Sequence, residues 1–376
     1  MATFEAKVYR LEIEPHPNAD AIELAKVGEF RSIVRKGQFK TGDLGVYIPE
    51  ASIVPLDVIK ILGLEGKLAG SQKNRVKAIK LRGILSQGLI YPVDSGTDCG
   101  GPFITLPTED GIGTMLPVVE GQDVAAELGI TKYDPPIPVH FAGQVGNAHG
   151  YTLHYDIENI KKYPDVINYG TDVLFVTEKL HGTWTCFGYH PEYPEPIVTS
   201  KGLSGRGVAF KLNEENEGNV YVQMYKKVGE KYLADLRAGL APGLAVYLLG
   251  EIYGKGVQDL QYGTAEPAFR AFDIYVKDPT SGEGRYLSGV EFITACRAAN
   301  IPTVPVVGIG PYTRDEIEEM TNGQTELDGD NIREGVVVRL YADADNIRYD
   351  RSLGRIILKS VSEAYLLRKG NVTEFN

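Results

Sequence analysis

The stretch "DVLFVTEKLHGTWT", residues 172–185, sets an apolar strand-like run, Val173-Leu174-Phe175-Val176, directly against a polar turn carrying Lys179, His181 and Gly182. A plain strand would have continued through that point. The turn holds either a surface lysine or a lysine nucleophile kept beside a bound phosphate. The spacing Lys-x-x-Gly does not decide between them, since it recurs at Lys60, Lys67, Lys80 and Lys226. What separates Lys179 is an ordered series downstream: "SKG" at 200–202, "GEIYG" at 250–254, "AFDIY" at 271–275, "EGVVVR" at 334–339 and "LKS" at 358–360. Each places a charged residue against an apolar strand.

Outward from the turn, strand-like and helix-like text alternates. "TWTCFGYH", "PIVTS", "LAVYLLGEIYG", "FRAFDIYV", "EGVVVRLY" and "RIILKSVS" read as strands, and "NVYVQMYKKVGEKYLADLRAGL" as one long amphipathic helix. Ser288 with Glu291 three residues on forms a capping-box pattern before a second helix, "GVEFITACRAAN". The mixture predicts an α+β domain of antiparallel sheets over residues 151–376. Residues 131–150, "TKYDPPIPVHFAGQVGNAHG", combine three prolines with three later glycines, as a linker would. Residues 1–130 open with short strands, "FEAKVYRLEI", "AIELAKV", "LGVYIPE" and "RVKAIKLRGILSQGLIYPV", broken by one helix-sized insertion, which predicts a small closed barrel.

With 376 residues, 43% of them hydrophobic and 24% charged, the chain has room for two domains with separate cores. No apolar run approaches the roughly 18 residues of a membrane span, and "MATFEAKVYRLEIEP" lacks the apolar region of a signal peptide, so an intracellular, cytoplasmic protein is expected. Cys99, Cys186 and Cys296 are odd in number and widely spaced, against both a disulfide framework and a zinc site. A net charge of -11 opposes nonspecific coating of nucleic acid but leaves room for a local basic groove. One candidate is "QKNRVKAIKLRG", where Arg75, Lys77, Lys80 and Arg82 could track a phosphate backbone or form a solvated strand face.

The ordered series resembles the covalent nucleotidyltransferase superfamily of DNA ligases, RNA ligases and mRNA capping enzymes, over about residues 150–370. "KLHG" at 179–182 looks like the RNA-ligase version. His16-Pro17-Asn18-Ala19-Asp20 resembles the strand connection of tRNA-binding OB-fold modules. An OB-like domain ahead of the catalytic one, with "IENIKKYP" before the lysine and "LKSVSEAYLLRKG" near the end, looks most like the Deinococcus-type, fifth-family RNA ligases. DNA ligases and capping enzymes carry an OB domain after the last motif, and the 17 residues following Lys359 are too few for a barrel. The resemblance implies an ATP-grasp-like ligase nucleotidyltransferase fold, ATP with Mg²⁺ or Mn²⁺, and RNA ends or a nicked duplex as substrate. It implies that Lys179 carries the nucleotide, that Phe272 stacks on adenine, and that Glu178, Leu180, His181, Gly182 and Val336 help to hold the nucleotide. Lys201 and Arg206 would face the phosphates or the RNA end. Related phage RNA ligases carry Asn where this chain has Trp184 and a second lysine where it has Val361, so those contacts must be lost or supplied elsewhere.

The residue types suit that chemistry in their own right. An unperturbed lysine is neutral in only about one molecule in a thousand at pH 7, so a nucleophilic Lys179 is expected to be depressed by burial, by Mg²⁺ and by Lys359. Lys359 would neutralise phosphate charge in the transition state. Glu251 and Glu334 suit a hydrated Mg²⁺ or ribose hydroxyls, and Gly182 would let the backbone pass close to the nucleotide. Taken singly, Lys179 reads equally as a surface lysine, His181 as a structural histidine and Phe272 as core. The expectation is an ATP-dependent RNA ligase, monomeric and without membrane contact. Its rivals are a capping guanylyltransferase or DNA ligase and a non-catalytic RNA-binding protein.

Overall fold

The computed structural model describes residues 4–96, 100–107, 113–134, 143–342, 348–368 and 373–375; Cys99 lies outside them. The chain divides into two compact units, one of Thr3–Asp134 with Leu366–Asn376 and one of Pro135–Tyr365 with the first two residues. Of the stretch expected to be a linker, residues 135–142 lie outside the described residues. Its two ends are paired strand: Thr131–Lys132 lies against Ser52–Ile53, and Val145–Asn147 against Val208–Phe210.

In the first unit, Lys7–Arg10, Leu44–Ile48 and Leu89–Pro92 form one antiparallel sheet, and Glu12–Pro15, Ile22–Val27 and Phe30–Arg35 another. The run "LGVYI" is buried on both faces, which is why it reads as continuously apolar. Val46 and Ile48 enter one core with Val8 and Tyr91, while Tyr47 enters a second with Leu11, Val34 and Ile90. Ser32 Oγ donates to the Gln87 carbonyl and Ile33 N–H to Ser86 Oγ, joining the second sheet to Ile84–Ser86. His16 is buried in the connection before Ile22, where its Nδ1 accepts from Asn18 N–H and Asn18 Nδ2 donates to the Arg82 carbonyl. A short strand, Thr373–Phe375, runs parallel to Ile79–Leu81.

The second unit holds two five-stranded sheets. In the first the order is Glu158–Asn159, Ile357–Val361, Gly335–Leu340, Leu174–Glu178, Val306–Gly310, and in the second Ile197–Ser200, Thr183–Tyr189, Ala245–Tyr253, Ala268–Lys277, Gly284–Tyr286. Alternation sorts each strand into two faces. On the second sheet, Phe187, Leu248, Ile252 and Phe269 pack under the helical segment, whereas Cys186, Tyr247 and Leu249 form a separate cluster. On the first, Leu174, Val176, Val336, Val338 and Leu358 bury against Ile317 of the helix Arg314–Thr321.

The long helix of the sequence reading is helical from Val220 to Ala238 but takes a π turn at Tyr225–Gly229. A Cβ at Gly229 would lie 2.7 Å from the Phe187 ring, so this glycine lets the helix pack directly onto the sheet. Ser288 and Glu291 form both halves of the capping box, worth about 1 kcal/mol. Asp273, fully buried, accepts from Arg355 at 2.5 and 3.2 Å, from Arg339 at 3.4 Å and from Tyr155 Oη at 3.1 Å. This pins the cleft face of the first sheet to the second. Cys186 and Cys296 are buried free thiols, and among the described residues no helix is long and apolar enough to cross a membrane.

Candidate active site

Lys179 follows directly on the strand Leu174–Glu178, and its N–H donates to the Gly335 carbonyl at 2.9 Å, carrying the pairing one residue past the strand. This sets its side chain beside the residue opening the neighbouring strand: Nζ lies 2.5 Å from Glu334 Oε1. Gly335 is required there, because a Cβ would come within 2.1 Å of the Ser360 carbonyl oxygen. The two sequence motifs at 179 and 334 are thus brought together by sheet register.

The electrostatics differ from the expectation of a depressed Lys179. Burial disfavours its charge, but Glu334 and Glu251 outweigh that and raise its pKa above the ordinary lysine value. In the ligand-free chain Lys179 is therefore an ammonium paired with the Glu334 carboxylate. Glu251 is pushed up to about 8, chiefly by burial, with Lys179 pulling it down and Glu334 up. Lys359 is lowered to about 8 by burial, against the pull of Asp156, with Lys201 and Lys179 adding repulsion. These mutual effects place Lys179, Lys201, Glu251, Glu334 and Lys359 in one electrostatic site, with Asp156 as a member that the sequence reading did not find. Lys201 opens a short helix, its Nζ 2.9 Å from Asp156 Oδ1, and Arg206 is exposed.

Sheet register also assigns the lining. Val337 lies opposite both Thr177 and Lys359, so these three share one face. Val336, expected to touch the nucleotide, is fully buried in the core on the opposite face, and Val337 takes its place on the side of Lys359. Three consecutive valines hide the alternation that would have shown this. Leu180 is buried. Glu178 is 1% exposed; its carboxylate accepts from Thr325 Oγ1 at 2.6 Å and from Glu326 N–H at 2.8 Å, and burial raises its pKa. Phe272 is half-buried with its ring 5.5 Å from that of Tyr155, which also approaches Trp184 at 6.5 Å. Trp184 lies opposite Glu251 across the sheet, its indole N–H buried without a hydrogen-bond partner among the described residues.

Gly182 has a packing role within the chain itself. A Cβ there would lie 2.2 Å from the Ile252 carbonyl oxygen, so the glycine allows the turn to lie on the strand bearing Glu251. His181 is anchored on both ring nitrogens, Nε2 2.7 Å from Asp259 and Nδ1 2.8 Å from Tyr365 Oη. Among the described residues, no cluster of three or more His, Cys, Asp or Glu could by itself hold a metal ion. Glu251 and Glu334 instead fit a hard cation that keeps waters and substrate oxygens as its other ligands.

In the first unit the basic strip is not uniform. Lys77 and Arg82 are exposed, Lys80 is half-buried, and Arg75 lies over the Tyr133 ring at 4.3 Å, a structural contact for a residue expected to meet phosphate. Arg82 and Gly83 both take positive φ, forming the tight turn of the hairpin.

Residues 172–361, just over half of the chain, match the family model described as RNA ligase, and residues 6–93 match an OB-fold domain model. Among solved structures, Naegleria gruberi RNA ligase is similar throughout. Its complex with PPi and a point mutant with AMP and Mn each share 24% identity at a TM-score of 0.72, covering 97% of this chain and 98% of theirs. Another point mutant, with ATP and Mn, gives 0.71 at 24% identity over 96% of this chain and 98% of its own. At that identity the likeness shows a shared fold. No curated protein matches.

Proposed function

The chain belongs to the RNA ligase family, and from that premise we infer that it is an ATP-dependent RNA ligase working through lysyl-AMP. The observation carrying this reading is the Lys179 ammonium held 2.5 Å from Glu334 and coupled to Glu251 and Lys359. Lys179 Nζ gives up its proton and attacks the α-phosphorus of ATP; the N–P bond forms as the bond to the β-phosphate oxygen breaks, and pyrophosphate leaves. A 5'-phosphate oxygen then attacks the same phosphorus, freeing Lys179 and capping the RNA end with AMP. The 3'-OH finally attacks the 5'-phosphorus, closing the phosphodiester and releasing AMP.

Lys359 and Lys201, whose charges act on one another, would hold phosphate charge, and Val337 and Phe272 would offer apolar surface for the base. A divalent cation held by Glu251 and Glu334 would neutralise phosphate charge. A mutant of Naegleria gruberi RNA ligase solved with ATP and Mn supports ATP and a divalent cation as ligands. The OB-fold match ahead of the ligase match supports the Deinococcus-type branch and a nucleic-acid-holding role for residues 1–130 through Lys77, Lys80 and Arg82. The reading extends to a monomer in a cytoplasmic setting, as the sequence led us to expect.

The test is incubation of the full chain with α-labelled ATP or α-labelled GTP and Mg²⁺, followed by a denaturing gel. Labelled protein with ATP alone is expected. Labelling by GTP alone would move the chain to capping chemistry, and labelling by neither would overturn the reading.

A further inference from the structure

We propose that Asp156 is a placeholder anion: in the ligand-free chain its carboxylate engages the lysines that would otherwise meet phosphate, Lys201 and Lys359, and by competing with phosphate for them it keeps the site's hold on pyrophosphate weak. The identity of the competing anion rests on the ligase reading above.

The segment bearing Asp156 is fixed from both sides. Tyr155 Oη donates to the buried Asp273 at 3.1 Å, and its ring lies 5.5 Å from that of Phe272. Glu158 and Asn159 run parallel to the strand Ile357–Val361, paired with Leu358 and Lys359. Consecutive residues thus meet the two halves of a nucleotide site, Tyr155 the aromatic ring offered to the base and Asp156 the lysines offered to phosphate. Asp156 Oδ1 lies 2.9 Å from Lys201 Nζ; its side chain is 7% exposed, that of Lys201 56%. On Lys359, burial acts most strongly against the charge; Asp156 is the foremost charge sustaining it, whereas Lys201 and Lys179 repel it.

In the empty site this carboxylate offsets the mutual repulsion of the lysines, the task a phosphate performs once bound. With phosphate present, two anions share the same ammonium groups, and each weakens the hold of the other. The buried carboxylate has little water to fall back on, so the competition is felt in full. Lys201, more than half exposed, is the group that can turn from one anion to the other.

Calorimetric titration of the nucleotide-free, metal-free full chain with inorganic pyrophosphate tests this. It is run at about pH 6.5, where loss of the Asp156 pull should still leave Lys359 charged. Asp156→Asn should bind pyrophosphate about 10-fold more tightly than wild type. Asp156→Ser, which removes the same charge with a smaller side chain, should do the same. Glu266→Gln, which takes an exposed carboxylate from Lys227 outside the site, should leave the affinity unchanged. Lys201→Ala should cost more affinity in the Asp156→Asn chain than in wild type. Unchanged or weaker binding by the Asp156 variants, which a purely structural role would give, overturns the proposal. So does equal tightening in Glu266→Gln, an additive effect of Lys201→Ala, or no binding by any of the chains. Failure of the wild type to label with ATP defeats the ligase reading instead, and the pyrophosphate titration then still decides whether Asp156 competes with an anion.

Discussion

Lys179→Ala is expected to abolish covalent labelling by α-labelled ATP while the melting profile stays native. The result is not assured by basicity, because Lys359 in the same site is lowered to about 8 whereas Lys179 is raised. By ease of deprotonation alone, Lys359 is the better nucleophile of the ligand-free chain. The geometry favours Lys179 nevertheless. The carboxylates that hold its proton, Glu334 and Glu251, are those suited to a cation, and engaging them elsewhere removes what raises its pKa. The neighbours of Lys359 include Lys201 and Lys179, a setting in which an added phosphate lends the ammonium stability. The fold should survive the substitution, since Glu251, pushed up to about 8, is already largely protonated at neutral pH and leaves no buried charge of its own when the ammonium is gone. Residual adduct in the variant, mapped to Lys359, would reverse the assignment.

Glu334→Ala should keep a native melting profile and lose at least about 100-fold in the rate of adenylylation, roughly 3 kcal/mol or more in barrier. Two effects oppose each other here. Removing Glu334 takes away one of the two carboxylates that raise the Lys179 pKa, so the neutral amine is reached at lower pH. The rising limb of the rate profile with pH should therefore move to lower pH, even as the maximum falls. The fall is expected to win, because a deprotonated amine still needs the α-phosphate placed before it, and on the ligase reading that placement uses the carboxylate. A variant of full activity would remove Glu334 from the site. A variant of low activity with an unmoved pH profile would mean that Glu334 does not govern the Lys179 proton.

Much of this was legible in the residues, for identifiable reasons. Strands bounded by turn residues and helices bounded by caps carry local signals, and Ser288 with Glu291 appears in the structure as its pattern implied. The helix Arg314–Thr321 has the same signal in Thr313 and Glu316 but was missed, since its acidic run shows little apolar stripe. The π turn at Tyr225–Gly229 answers to close packing on Phe187, which lies on another strand and leaves no local trace. The assignment of Val336 failed because "GVVV" is apolar on both faces, so only its pairing with Lys359 and Thr177 reveals that Val337 faces the site. Asp259 and Tyr365 reach His181 from 78 and 184 residues away; Asp259 belongs to no motif, and nothing in "LKSVSEAYLLRKG" signals that its Tyr365 meets His181. The expected depression of Lys179 counted burial and neighbouring cations but not the nearness of both Glu334 and Glu251, which only the fold supplies.

The most direct measurement of the central claim is sealing of matched duplex nicks by the full chain with ATP and Mg²⁺, one ending in ribose and the other in deoxyribose on the 3'-OH side. The 2'-OH is the group by which a protein tells RNA from DNA, so an RNA ligase should seal the ribose nick much faster. Equal rates on the two nicks, or faster sealing of the deoxyribose end, would contradict it.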